Sequence, residues 1–420
     1  MLPWKWRVLY WLTFLPLGIL LFGVLCIKGM VRMVFVFPFR WLRRAVSPAH
    51  VKEKPIRLLC LAYLNEENAS ARHRLYKYVR HITEKEIKFD IFPPTDPSIY
   101  QRFFVPWEKW GQYRYFILLL LCRFRAIWRS PEYDAVFLQR EFLSEFFYDP
   151  PFFIFALWLL NRHIIYDVDD AIWIFPPHSV RSSSRILNTL TRWRFYWNVR
   201  LSMGVIVSTE YIAAYVKKIN GNVMVIPTLV DVEDFPVREH KVSWPVIIGW
   251  TGGPGNLIFL KTIEKPLAEL ALKYPIKLRI ISSRSITMDG IDVDFIRWEK
   301  GTEAAYISSF DIGVMPLPEN NYTKGKGGFK ILEYMAAGLP SVISPVGVNA
   351  RIIQNNKNGF FASDDQEWVD TLASLIEDIS LRKRMGAEAR SFVARHYDYR
   401  IWIDSFVSTV KNVVDGTWKI

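Results

Sequence analysis

Gly325–Ala350 reads GKGGFKILEYMAAGLPSVISPVGVNA, and the order of residue types within it decides the fold. A glycine-rich loop opens a helix near Gly327-Gly328, with Lys324, Lys326 and Lys330 in and around it. Ala336-Ala337-Gly338 ends that helix, because glycine takes the left-handed cap that other residues resist. Ser341-Val342-Ile343-Ser344 then reads as a short apolar strand. Loop, helix and strand in this order form one winding of an α/β sheet. The start of such a helix turns free N–H groups and a positive dipole end toward the loop, which suits an anion.

Working outward, Val246–Trp250 is a strand that runs into Thr251-Gly252-Gly253-Pro254-Gly255. Gly252 and Gly253 make a second backbone cradle after a strand, where open α/β sheets bind ligands. Leu278–Ile281 and Ile312–Met315 are further strands, and Glu367–Ile376 and Ile379–His396 are helices. The first half repeats the alternation. Strands are expected at Ile56–Leu64, Phe89–Phe92, Ala135–Leu138, His163–Tyr166, Gly204–Ser208 and Val223–Pro227. Helices are expected over Ser70–Ile82 and Tyr113–Trp128, the latter with its arginines in solvent. The pattern restarts near Glu239–Trp244, which predicts Rossmann-like domains at 55–240 and 241–395. Residues 396–420 are left as a closing helix, with Ile401, Val407, Val410, Val413 and Val414 forming most of an apolar stripe.

A chain of 420 residues is long enough for two such domains. With 51% hydrophobic and 23% charged residues it has the balance of a folded protein. Three cysteines, Cys26, Cys60 and Cys122, are too few and scattered for a disulfide framework or a zinc site. The net charge is +13, but residues 1–50 alone hold seven basic groups and no acid. The body is nearly balanced, which argues against a nucleic-acid partner.

That basic N-terminus frames Val8–Ile27, twenty uncharged residues, the length of a membrane-spanning helix. The basic excess behind it predicts a membrane-anchoring segment over residues 1–50 with the body on the cytoplasmic side. Met33–Trp41 suits a segment lying in the interface, and Pro16-Leu17-Gly18 leaves a re-entrant hairpin open. A cleaved signal is the rival reading, and no small-x-small site follows the apolar run. Ser47–Lys54 reads as a short linker.

Gly325–Ala350 together with Val225–Phe235 (VIPTLVDVEDF) and Ile248–Asn256 (IGWTGGPGN) resembles the retaining GT-B glycosyltransferases of the large mannosyl- and glucosyltransferase family, the glycosyl transferases group 1. Ile165–Trp173 (IYDVDDAIW) and Arg72–Tyr78 (RHRLYKY) resemble a subgroup of these enzymes. The resemblance covers about residues 55–400. It implies an α/β GT-B fold with two Rossmann-like domains facing across a cleft, and a final helix crossing back to the first domain. It also implies a metal-independent enzyme without a cofactor, its co-substrate being a nucleotide-sugar. The acceptor would be a cell-envelope or lipid-linked glycan at the cytoplasmic membrane face.

By this resemblance the donor is held by Gly252, Gly253, Lys326, Gly327, Gly328 and Glu333, with Glu333 on the ribose hydroxyls. Lys330 would stabilise charge on the departing diphosphate. Asp169, Asp170 and Arg140 are catalytic candidates, and Arg72, Arg74 and Glu141 acceptor-binding ones. Asp167-Val168-Asp169-Asp170 holds a D-x-D pattern, which in GT-A enzymes carries a metal. Here it lies away from the nucleotide motifs, so no metal is expected, and a turn or capping role stands beside the catalytic one. Two departures from the family stand out. Gly325 occupies a place where a glutamate is frequent, and Thr251–Asn256 lacks the usual Arg and Lys. A nucleotide-sugar epimerase of the same fold and a non-catalytic membrane scaffold are the alternatives.

Overall fold

The computed structural model describes residues 15–35, 54–92, 109–143, 151–179 and 181–418. The chain divides into two compact units. The first holds residues up to Val207, Ala213–Ile226 and Ile403 onward; the second holds Ser208–Ile212 and Pro227–Trp402.

The first unit is built on six parallel strands: β1 (Ile56–Leu61), β2 (Ile87–Phe92), β3 (Ala135–Gln139), β4 (Ile164–Val168), β5 (Gly204–Val207) and β6 (Val223–Val225). Their order is β2-β1-β3-β4-β5-β6. Every residue of β3 and β4 is buried, as expected of parallel strands covered on both faces. Because the order turns back between β1 and β3, their C-terminal loops frame a crevice.

The second unit repeats the plan with β7 (Val246–Thr251), β8 (Ile276–Ser282), β9 (Val293–Arg297), β10 (Ile312–Met315), β11 (Ser341–Ile343) and β12 (Phe360–Phe361). The order is β12-β11-β10-β7-β8-β9, again parallel, with the turn-back between β7 and β10. The sequence reading has no counterpart for β9 or β12. β9 is an edge strand with charged and partly exposed residues, and β12 is two residues long. Neither carries the apolar run that marks a buried strand.

The main run of the second unit opens at Pro227, ahead of the restart expected near Glu239–Trp244. Local bonding is the reason. Val230 N donates to Tyr397 O at 3.0 Å, Arg238 N to Ala337 O at 2.8 Å, and Arg390 Nη1 to Phe235 O at 3.0 Å. These tie the segment after β6 to the helices of the second unit. The Tyr399–Asp415 helix starts in that unit, and from Ile403 its residues belong to the first. There Phe406, 1% exposed, stacks on Tyr78 with ring centroids 4.3 Å apart.

Two helices differ from expectation. The stretch over Ser70–Ile82 is not one regular helix: Arg72–Tyr76 is a π-type turn between short α segments. In the Lys109–Arg129 helix, Arg123 is not solvated. It is fully buried, and its guanidinium donates to the carbonyls of Phe142, Phe92 and Ala62 at strand and loop ends.

The N-terminal helix spans Leu15–Phe35, so the first part of the Val8–Ile27 run lies outside the described residues, as do the interfacial segment beyond Phe35 and the linker before Lys54. Among the described residues no helix is long and apolar enough to cross a membrane. This helix packs within the first unit. Phe22 meets Phe152 with centroids 5.4 Å apart, and Lys28 Nζ sits 3.7 Å from the Trp128 ring centroid.

Candidate functional site

In the second unit the loops after β7 and β10 both reach the turn-back point. Gly252 follows β7 with φ of 157°, and Gly328 caps the Phe329–Ala336 helix with φ of 69°. A Cβ on Gly252 would lie 2.5 Å from Cε of Lys330, so the lysine stem fills the space that glycine leaves. A Cβ on Gly328 would meet Ile352 at 2.7 Å and Val348 at 2.9 Å. Both glycines hold a positive φ that a side chain would strain, whereas a Cβ on Gly253 meets nothing within 4 Å.

Lys330 Nζ stands 5.3 Å from the Trp250 ring centroid and 3.1 Å from the Cβ position of Gly252. Its charge is thereby placed at the Gly252 loop. Lys326 Nζ lies 4.7 Å from the Tyr322 ring centroid and 3.5 Å from the Tyr322 hydroxyl. Lys324 points elsewhere, pairing with Glu319 at 2.8 Å. The N-cap of the 329–336 helix is Gly328, which has no side chain of its own to cap it. Lys330, the Gly252 loop and the start of this helix thus meet in one place, with Lys326 two residues ahead of Gly328 in the chain. That is an environment for a diphosphate.

Glu333 lies within this helix and is 2% exposed, so it is not a solvated surface carboxylate. Its neighbour Tyr334 is fully buried; its hydroxyl accepts from Thr251 N at 3.1 Å and donates to Val314 O at 3.4 Å. Burial raises the Tyr334 pKa, keeping it a neutral donor. Ser282 Oγ donates to Gly252 O at 2.7 Å, fixing the loop from β8. Trp250, Tyr334, Tyr322 and Ser282 were not singled out in the sequence. Aromatic residues inside apolar runs read as core, and only the packing shows which of them support the loop.

In the first unit the turn-back between β1 and β3 brings Tyr63 and Arg140 together. Arg140 has φ of 56°, a left-handed conformation for a non-glycine residue. Its guanidinium pairs with Asp169 at 3.1 Å and Asp170 at 3.4 Å and lies 4.9 Å from the Tyr63 ring centroid. Gln139 Oε1 accepts from Tyr63 N at 3.1 Å, locking the two loops. Three catalytic candidates therefore form one cluster, with Asp170 the more exposed of its carboxylates.

The acceptor-binding candidates fare differently. Arg74 is 1% exposed, is held by both oxygens of Asp167, and donates to Ile226 O at 2.6 Å. Burial works against its charge, but Asp167 outweighs this and raises its pKa. Burial pushes Asp167 up to about 6 despite Arg74 beside it. Arg72 is buried too, donating to Glu66 O and Glu67 O at 3.3 Å. Glu141 is paired with Arg194. Arg74 and Glu141 thus spend their charges on partners distant in sequence, whereas Arg72 is turned onto carbonyls of its own preceding loop. Among the described residues no group of acids, histidines and cysteines is arranged to hold a metal ion.

Residues 256–378 match the family described as glycosyl transferases group 1. No curated protein sequence matches the chain. Among solved structures, sucrose-phosphate synthase from Thermosynechococcus elongatus is similar with a TM-score of 0.63 at 13% identity, over 87% of this chain and 100% of that one. The Anabaena protein HepE in complex with UDP and glucose gives 0.59 at 13% identity, over 85% and 100%. A glycosyltransferase from Rickettsia africae gives 0.56 at 11% identity, over 86% and 99%. The likeness is one of fold: α/β with two Rossmann-like units, of the GT-B class.

Proposed function

We propose that this chain is a glycosyltransferase that moves a sugar from a nucleotide-sugar donor to a cell-envelope or lipid-linked glycan. The observation that carries the reading is the placement of Lys330 against Gly252, beside the N-terminus of the 329–336 helix. A diphosphate seated there meets backbone N–H groups and two ammonium groups. Charge building on it as the glycosidic bond breaks is then stabilised without reorganisation. Glu333 accepts the ribose hydroxyls, and Gly252 admits the backbone closely. The fold shared with HepE, solved with UDP and glucose, supports this donor class. In this reading the lysines supply the countercharge that a metal provides elsewhere, and the anomeric configuration is retained. The cluster of Arg140, Asp169 and Asp170 serves the acceptor and the reacting sugar.

Membrane attachment is part of the same proposal. The Leu15–Phe35 helix exposes Leu20, Val24, Ile27 and Val31, spaced along one face, with Leu20 65% and Ile27 60% exposed. Such a row, with the basic N-terminal charge, suits the cytoplasmic face of an anionic bilayer. A thermal-shift screen against UDP-, GDP-, ADP- and dTDP-sugars tests the donor reading, since a ligand of the native state raises its melting temperature. One nucleotide-sugar should stabilise the protein, and Lys330→Ala should reduce the shift. No shift with any of them would leave the scaffold alternative standing.

A further inference from the structure

A cavity of about 480 Å³ lies in the second unit, lined by Arg238, His240, Lys241, Lys383 and Arg390 among others. Gly338 forms part of its wall, and Gly338 precedes β11, at the N-terminal edge of the sheet. The candidate donor site is at the opposite edge, where β7 and β10 end. The two places are distinct.

The electrostatics of this cavity are unbalanced. Glu239 is the one acid in its lining, and it pairs with Lys241 at 2.8 Å. Beneath, the buried carboxylate of Asp311 accepts from Arg238 Nη2 at 2.7 Å and from Ile247 N at 2.9 Å. Arg382, 3% exposed, belongs to the same cluster and donates to Ile376 O at 2.9 Å. Nε of Arg238, Nε of Arg382 and Nδ1 of His240 have no hydrogen-bond partner among the described residues. Four Lys and Arg side chains thus line this cavity against one acid, an arrangement that an anion would complete.

His240 adds a proton-linked element. Its Nε2 donates to Gly338 O at 3.0 Å, which leaves Nδ1 to be a bare acceptor or, once protonated, a second donor. The charged groups around the ring are Arg238, Glu239 and Lys241 on its own segment, Asp311, and Arg382, Lys383 and Arg390 on the Ile379–His396 helix. Burial, with Arg382 and Arg238, disfavours the imidazolium more than Gly338 O and Asp311 favour it. An anion in the cavity reverses that balance.

We propose that this cavity binds a small, multiply charged anion of the phosphate-ester class, and that binding is coupled to protonation of His240. Its volume is that of a small-molecule site. Arg390 is part of the wall, since its donors are taken by the carbonyls of Phe235, Ala336 and Val232. Arg238, Lys241, Lys383 and His240 supply the contacts. This inference does not depend on the proposed transferase activity.

Sulfate is the probe, because it carries no titrating proton of its own near neutrality. Calorimetric titration of the full chain at about pH 5.5 and about pH 8, in buffers of different ionisation heat, should show proton uptake on binding and roughly tenfold tighter binding at the lower pH. Lys241 and Lys383 are exposed, so the Lys241→Ala/Lys383→Ala protein retains the fold and should bind about tenfold more weakly. His240→Gln keeps a donor for Gly338 O and should bind without proton uptake. Lys326→Ala/Lys330→Ala should leave this site unchanged. Inorganic pyrophosphate should compete with sulfate. Sulfate binding that survives Lys241→Ala/Lys383→Ala and vanishes in Lys326→Ala/Lys330→Ala, or binding with no proton uptake, would overturn the proposal.

Discussion

Lys330 and Gly252 share one volume: a Cβ on Gly252 would stand 2.5 Å from Cε and 3.1 Å from Nζ of the lysine. Gly252→Ala must therefore push the ammonium off the loop or distort a backbone already at φ of 157°. The expected result is a transfer rate lower by tenfold or more, about 1.4 kcal/mol in the barrier. Gly253→Ala, one residue on, meets no atom within 4 Å and should keep the wild-type rate. Equal losses in both variants would remove the special role of Gly252.

Lys330→Ala and Glu333→Gln should separate binding from chemistry. Charge that matters most as the diphosphate leaves acts on kcat, so Lys330→Ala should lower kcat more than it raises KM. Losing charged hydrogen bonds to ribose should weaken donor binding by about 1.5–3 kcal/mol in Glu333→Gln. Steady-state kinetics with the donor varied reads both. A wild-type rate in both folded variants would put the donor elsewhere.

Arg140 and Arg74 should divide function from stability. Breaking a buried ion pair from one side costs about 3–5 kcal/mol, so Arg74→Met should lower the denaturation midpoint sharply. Arg140→Gly relieves a left-handed backbone and loses pairs to the buried Asp169 and the more exposed Asp170. Its stability should fall by less than that of Arg74→Met, while sugar transfer falls. A fully active Arg140→Gly protein would take the cluster out of the chemistry.

The C-terminal segment should matter to the first unit. Phe406→Ala removes a ring packed on Tyr78 and Phe137 and should cost about 3–5 kcal/mol. Gly204→Ala should destabilise as well, because its Cβ would fall 2.3 Å from the Trp418 ring. Urea denaturation followed by tryptophan fluorescence measures both, and unchanged midpoints would contradict the packing.

Acid should destabilise the protein through His240. Its folded-state pKa lies below the ordinary value of 6.5, so the unfolded chain takes up the proton first as pH falls. The contribution of the neutral ring is thus present above about pH 6.5 and is lost as pH drops below it. The melting temperature of wild type should fall more steeply than that of His240→Gln between about pH 7 and about pH 5, and saturating sulfate should flatten the wild-type curve. Parallel curves for the two proteins would count against the buried imidazole as the cause.

Much of this was open to reading along the chain. Leu58–Leu61, Ala135–Gln139 and Ile312–Met315 are apolar without alternation, which only strands buried on both faces require. The Gly325–Ala350 loop, helix and strand were equally legible, because a left-handed cap at Gly328 and a tight approach at Gly252 leave glycine as the residue that fits. What the tertiary structure alone decided is where each charge is spent. Arg74, Arg123 and Glu141 look like surface groups in sequence, yet each is buried against partners that the fold supplies. Arg74 and Asp167 are 93 residues apart in the chain, and Arg238 and Asp311 are 73 apart. Local patterning depends on which face of an element meets the core, and that repeats every two or 3.6 residues. An ion pair depends on which distant element is packed beside it, and no local period encodes that.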